Sequence, residues 1–166
     1  MVMSDKYGPF CLSEELEEQR LANVAVVEAF VKLVGPDRHE KRKALYDTDG
    51  RFELTFCGGP HDNPNFVYRV NNEEDAGLAQ GENSAFPDWS FFDVSVFPTD
   101  DPWTVFTELR GRGMRYDPRW DDPHYYENHY LLCFTLKDGK IKRLREVFNP
   151  YNCMRPAGDA EIPEGF

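Results

Sequence analysis

Residues 123–150 read PHYYENHYLLCFTLKDGKIKRLREVFNP, and the Asp138-Gly139 pair inside this stretch decides how the rest is arranged. Asp-Gly between two strand-like runs is the strongest short-range mark of a two-residue hairpin turn, because both central positions need positive φ. With the turn at 138–139, residue 137 faces 140, Leu131 faces Glu146, Cys133 faces Leu144 and His129 faces Phe148. Side chains alternate between the two faces of a strand, so Glu146 is expected among His129, Leu131, Cys133, Leu144 and Phe148. A lone carboxylate in apolar company is costly to ionise. The expected response is a raised pKa, the condition for a general acid or base near neutral pH. A solvated face, or a basic partner for Glu146, is the alternative. The opposite face carries Tyr130, Leu132, Phe134 and Leu136 with Asn128, Arg143 and Arg145, so periodicity leaves open which side is the core.

Upstream, Ser13 is an N-cap ahead of Glu14-Glu15, and Leu21, Val24, Val27, Val31 and Val34 recur at helical spacing until Gly35-Pro36. A second, shorter helix is expected from Arg38 to Tyr46, stopped by the turn-forming Asp47-Thr48-Asp49-Gly50. Phe52, Leu54 and Phe56 alternate with polar residues as a strand, CGGPHDNPN is a long loop, and residues 66–70 form a further short strand. Residues 71–84 read as a weak helix broken at Gly77 and Gly81, and Phe86-Pro87-Asp88-Trp89 as a junction. Two strands then follow, over 91–97 and 103–116, the second bent or bulged at Gly111 and Gly113. Helices first and long strands last point to an α+β domain whose curved antiparallel sheet wraps N-terminal helices and encloses a pocket.

The 166 residues suffice for a single domain, 1–166, with 151–166 as a C-terminal tail that either hangs free or docks through Tyr151, Met154, Ile162 and Phe166. A formal charge of -11 argues against nucleic acid, and no apolar stretch approaches membrane-spanning length. Cys11, Cys57, Cys133 and Cys153 have no paired spacing, and the chain starts without a signal-like segment, so free thiols in a cytoplasmic protein are expected. No P-loop, dinucleotide fingerprint, zinc-protease motif or nucleophile elbow is present, and His61 with Asp62 reads as loop rather than metal ligands.

FPDW at 86–89, VSVFPTDDP at 94–102 and YENHYLLCFTLKDGKIKRLREVFNP at 126–150 together resemble the phenazine-biosynthesis protein A/B family. The likeness reaches back through QRLANVAVVEAF to GPDR, covering residues 16–152. That family sits in the superfamily of nuclear transport factor 2, ketosteroid isomerase and SnoaL-like polyketide cyclases. The resemblance implies a cone-shaped α+β half-barrel, a homodimer with a separate pocket in each subunit, no metal and no organic cofactor. It implies a condensation of two aminocyclohexenone carboxylic acids into a tricyclic phenazine precursor, with a pocket glutamate as acid–base group. That glutamate falls on Glu146, with His129 as a polar neighbour. The basic residue that meets the substrate carboxylate falls on Arg42, or on Lys41 with a shifted gap, and Arg38 lies one helical turn before Arg42. The family's pocket histidine and serine fall on Leu78 and Glu82, ahead of Trp89 in the same substrate-binding wall, and His61 is a candidate substitute. A non-catalytic small-molecule binder and a polyketide cyclase or isomerase are the alternatives.

Overall fold

The structure is a computed structural model, and it describes residues 12–55, 66–71, 85–116, 122–150 and 152. Helix α1 spans Glu14–Lys32 and helix α2 spans Arg38–Lys43. Strands β1 (Tyr46–Leu54), β2 (Phe66–Arg69), β3 (Ser90–Pro98), β4 (Thr104–Arg115), β5 (His124–Lys137) and β6 (Lys140–Phe148) form one sheet in the order β2-β1-β6-β5-β4-β3. The expected α+β arrangement is present. The sheet is mixed rather than antiparallel, because β1 runs parallel to β6 while every other neighbouring pair is antiparallel. No turn joins β1 to β6, so their relative direction is set by docking, as Ile141 N donates to Leu45 O and Thr55 N to Glu146 O, each at 2.9 Å.

Ser13 Oγ accepts from Leu16 N at 3.4 Å and three glutamates fill the first turn, so α1 starts where cap and dipole favour it. Its buried stripe is Arg20, Asn23, Val24, Val27, Phe30 and Val31. Val34 lies past the helix end and is exposed, because Leu33 has already turned extended. Periodicity could not foretell the two buried polar members. The Arg20 guanidinium pairs through two nitrogens with Glu17, and Asn23 Nδ2 donates to Pro102 O at 2.8 Å, tying the helix to the β3–β4 turn. Phe30 meets Phe134 edge-on at 5.3 Å, and Val105, Leu109, Leu132, Phe134, Leu136, Ile141 and Leu144 complete a core on that side of the sheet. Each such side chain contributes about 1.5–3 kcal/mol by leaving water.

The hairpin turn forms as expected, with Asp138 at φ 51° and Gly139 at φ 72°. Lys137 faces Lys140 and Leu136 faces Ile141. There the expected register ends. Lys142 is an extra residue on β6, so Thr135 faces Arg143, Leu132 faces Glu146 and Tyr130 faces Phe148. The bulge is held from β1, where Asp47 and Asp49 take the Lys142 ammonium at 3.0 and 3.1 Å. Hydrogen bonding to that ammonium keeps the Asp47 carboxyl well below the usual range and pushes Lys142 up. Asp47 to Gly50, expected as a turn before the strand, are therefore part of β1 itself, and α2 stops at Lys43 to let β1 begin at Tyr46.

Of the bend or bulge expected at Gly111 and Gly113, the bulge is absent, since β4 pairs with β5 without a register shift from Thr104 to Arg115. The irregularity is on edge strand β3, between Phe92 and Ser95, where Asp93 has φ 49°. The two glycines serve a different need. A Cβ on Gly111 would lie 2.3 Å from Trp89 Cζ2 and 3.0 Å from Tyr130 Cε2, so the indole lies across bare backbone. Gly111→Ala is expected to destabilise the fold by about 1–3 kcal/mol in urea unfolding, overriding the gain an alanine normally brings to a strand. Gly113→Ala, whose Cβ would lie 3.1 Å from Asp88 Oδ1 and 3.3 Å from Trp89, should cost less. Equal midpoints for both variants and the parent would refute this account of Trp89 packing.

Candidate functional site

The one-residue slip in β6 decides which side chains surround Glu146. Its neighbours across the strands are Leu132 on β5 and Leu54 on β1, and along β6 it shares a face with Leu144 and Phe148. This is the core face, to which Tyr130, Leu132 and Phe134 also belong, and not the face of His129, Leu131 and Cys133. Glu146 is half-buried in the wall of a cavity of about 220 Å³ between the sheet, the two helices and the 86–89 segment. His129 is on the opposite face, with its side chain 62% exposed and Nε2 2.9 Å from Glu108 Oε1. It is not a neighbour of Glu146, because the bulge that brings Glu146 inward leaves the odd-numbered residues of β5 outside.

Helix α2 supplies two of the cavity's guanidiniums, and its geometry separates three cations that are close in sequence. Arg38 is 4% exposed, and its guanidinium donates to the carbonyls of Gly35, Phe86 and Pro87, clipping the 86–89 segment to the helix. Arg42, one turn on, also faces the cavity, with Cζ 4.7 Å from the Phe30 ring and 5.1 Å from the Phe91 ring, and Nη2 donating to Leu33 O at 3.3 Å. Lys41 points to solvent and pairs with Asp37 at 2.7 Å, which lowers the Asp37 pKa. Of the two candidates for one carboxylate anchor, Arg42 is the one in the cavity wall.

The remaining wall is aromatic. Trp89, singled out in the sequence, lies 5.2 Å from Phe86, 5.7 Å from Phe91 and 5.8 Å from both Tyr126 and Tyr130. Asp88 Oδ1 accepts from Met114 N at 2.9 Å and fixes the loop that carries it. Asn128 Nδ2 donates to Tyr126 Oη at 2.8 Å and to Asn149 O at 2.9 Å, and the Tyr126 and Tyr130 hydroxyls are 3.0 Å apart. The Asn of YENH and the Asn of FNP thus hold together the strand ends that frame the cavity.

Among the lining residues that escaped the sequence reading are His39, Arg115, Tyr126 and Tyr130. The tyrosines were assigned to the wrong side of Glu146, and a signal was available. In Ile141-Lys142-Arg143-Leu144 two polar residues separate two apolar ones, which breaks strict alternation and marks a bulge. For Arg115, at the far end of β4 with Cζ 5.8 Å from the Phe86 ring, no local pattern distinguishes it from any strand-end arginine. Burial, with help from Lys43, lowers the pKa of His39, so its imidazole is neutral at neutral pH. Leu78, Glu82 and His61 lie outside the described residues. Among the described residues no three His, Cys, Asp or Glu side chains converge as metal ligands, and no helix is long and apolar enough to cross a membrane.

Chemically, the cavity joins one carboxylate to three guanidiniums and an aromatic wall in a chain of formal charge -11. A family model for phenazine biosynthesis protein A/B matches residues 3–164. Phenazine biosynthesis protein PhzB of Pseudomonas fluorescens is 36% identical over 143 residues, covering 85% of this chain and 83% of that protein. The crystal structure of a phenazine biosynthesis-related protein, phzb2, from Pseudomonas aeruginosa superposes with a TM-score of 0.76 at 33% identity, over 92% of this chain and 97% of that one. An NTF2-like protein from Anabaena variabilis shares the fold at 18% identity, with a TM-score of 0.59 over 84% of this chain and 95% of that one. The chain belongs to the phenazine biosynthesis protein A/B family and has its NTF2-like α+β fold.

Proposed function

We propose that the cavity is an acid–base site for condensing small amino ketone carboxylates, of the phenazine-precursor type, without a cofactor. The observation that carries this reading is that Glu146 is the one carboxylate among the described lining residues, set between aromatic side chains and arginines. An amine adds to a ketone to give a carbinolamine. Protonated Glu146 gives its proton to the hydroxyl, water departs with the C–O electron pair, and the glutamate recovers a proton from nitrogen as the neutral imine forms. Arg42 meets the substrate carboxylate and the Trp89 indole packs on the ring. The rate with purified protein, parent against Glu146→Gln, tests the assignment.

Leu78 and Glu82, at the positions of the family's polar pocket pair, favour a second reading in which the same cavity binds without catalysing. In that case the purified protein accelerates nothing and Glu146→Gln has no rate to change.

The reading extends to a homodimer through the outer sheet face. Phe97, Phe106 and Leu131 stand there 50%, 42% and 53% exposed, on three adjacent strands, with Cys133 as a free thiol beside Arg145 Nη2 at 3.3 Å. An apolar row of this kind on a wide sheet calls for cover. Sedimentation equilibrium at micromolar concentration is expected to give twice the chain mass, and a Leu131→Lys variant should run as monomer. A monomeric parent would reject the interface. The family match over residues 3–164 supports reading the chain as one domain.

A further inference from the structure

Phe91 belongs to two cavity walls. On one side it lines the cavity of about 220 Å³ that holds Arg42 and Glu146. On the other it lines a separate groove of about 780 Å³ between the last turns of α1 and edge strand β3. Val31 of α1 and Val94, Val96 and Phe97 of β3 make that groove apolar, and Glu28 and Lys32, paired at 3.5 Å, stand beside it. Adjacent residues of α1 divide in the same way, Phe30 to the cavity and Val31 to the groove. At Phe91 the partition between the two spaces is one side chain thick.

The Phe91 ring is held by contacts that are each weak. It meets Trp89 edge-on at 5.7 Å and Tyr130 at 6.1 Å, and Arg42 Cζ lies 5.1 Å from its centroid. Its backbone lies on the end strand of the sheet, hydrogen-bonded on β4 alone, and that ladder is interrupted directly after Phe92, where Asp93 takes φ 49°. Few residues other than glycine adopt that conformation, and a bulge loosens the ladder around it. On the groove side the ring borders open space, so rotation about its Cα–Cβ bond carries it into the groove rather than into packed core.

We propose that Phe91 is a gate through which a cyclic acid passes between the groove and the cavity. This rests on the reading that the cavity takes ring carboxylates, and it adds the route by which they enter and leave. The route runs past Arg42, so an acid that crosses the partition meets its anchor as it arrives. A gate of this kind governs rates and not affinity. The free and bound states are the same whichever path joins them, so an obstruction in the groove slows entry and exit by one common factor.

The test is stopped-flow binding of a flat tricyclic acid, anthracene-2-carboxylate, followed by its own fluorescence. Val94 lines the groove and not the cavity and is 39% exposed, so Val94→Trp obstructs the route without touching the bound ligand. It should lower the association and dissociation rate constants together by at least about fivefold, with Kd within about twofold of the parent. Phe91→Ala removes the partition and should raise both rate constants by at least about fivefold. Val67→Trp, at an exposed position on β2 at the other end of the sheet, is the control and should leave both within about twofold. If Val94→Trp does not fold, Val94→Phe carries the same test. Rate constants unchanged by the obstruction, a fall in one without the other, or equal slowing in Val67→Trp would overturn the gate. Failure of the parent to bind the acid would overturn the gate together with the carboxylate reading, whereas a gate rejected on its rates leaves that reading supported by the measured Kd.

Discussion

Glu146→Gln is expected to lower the condensation rate by about 10²–10⁴-fold, the usual worth of a positioned general acid–base, while ligand affinity stays within a few-fold. Glutamine keeps the volume and one carbonyl oxygen of the side chain, so the contacts that Leu54, Leu132 and Phe148 make around it need not change. What it loses is the ability to exchange a proton. Carbinolamine collapse needs a proton delivered to a leaving hydroxyl and another taken from nitrogen, and the described lining offers no second carboxylate to do this. The two signals separate the alternatives. Rate lost with binding intact assigns Glu146 to the chemistry, whereas rate and binding lost together would make it a structural member of the wall. A residual rate equal to that of the parent would leave Glu146 without a catalytic role.

The expected placement of Glu146 shows how sequence and structure part company. Its place among apolar side chains was legible in the sequence because a charged residue interrupts apolar positions, and that holds in either register. Its neighbours were not legible, because a period of two converts one inserted residue into a change of face. The inserted residue, Lys142, is fixed by Asp47 and Asp49 on β1, a strand some ninety residues earlier whose parallel pairing with β6 no hairpin arithmetic anticipates. The turn, the α1 boundaries and the strand runs depend on local chemistry, and they were read with errors of a few residues. The role of Gly111 and Gly113 depends on where Trp89 lies, a contact across the fold to which local pattern gives no clue. The same division holds for the arginines. Helical spacing placed Arg38 and Arg42 on one face, but their different tasks arise from the carbonyls of residues 86 and 87, which reach only Arg38.

Arg38→Met should lower the free energy of unfolding by about 1–3 kcal/mol, because a buried guanidinium and its charged hydrogen bonds to three carbonyls are removed. Methionine matches the apolar stem and leaves the packing nearly filled, so the loss reports on the guanidinium. Gly35 O keeps the bond from the backbone N–H of residue 38 and Phe86 O keeps the one from Trp89 N, so the loss is of the charged donor to all three carbonyls rather than of every donor. Lys41→Met on the same short helix is the internal control. Its ammonium is half-exposed and pairs only with Asp37 at i,i+4, a contact worth about 0.3–0.5 kcal/mol. Urea unfolding of the two variants should therefore separate them by several-fold in lost stability. A second consequence follows from what the clip holds. Phe86 and Trp89 are cavity wall, so releasing their segment should also weaken binding of a tricyclic acid at protein concentrations where the variant is still folded. A loss in Arg38→Met no greater than in Lys41→Met would mean that the 86–89 segment is held by its ring contacts, the Trp89–Gly111 packing and the Asp88–Met114 hydrogen bond without the guanidinium.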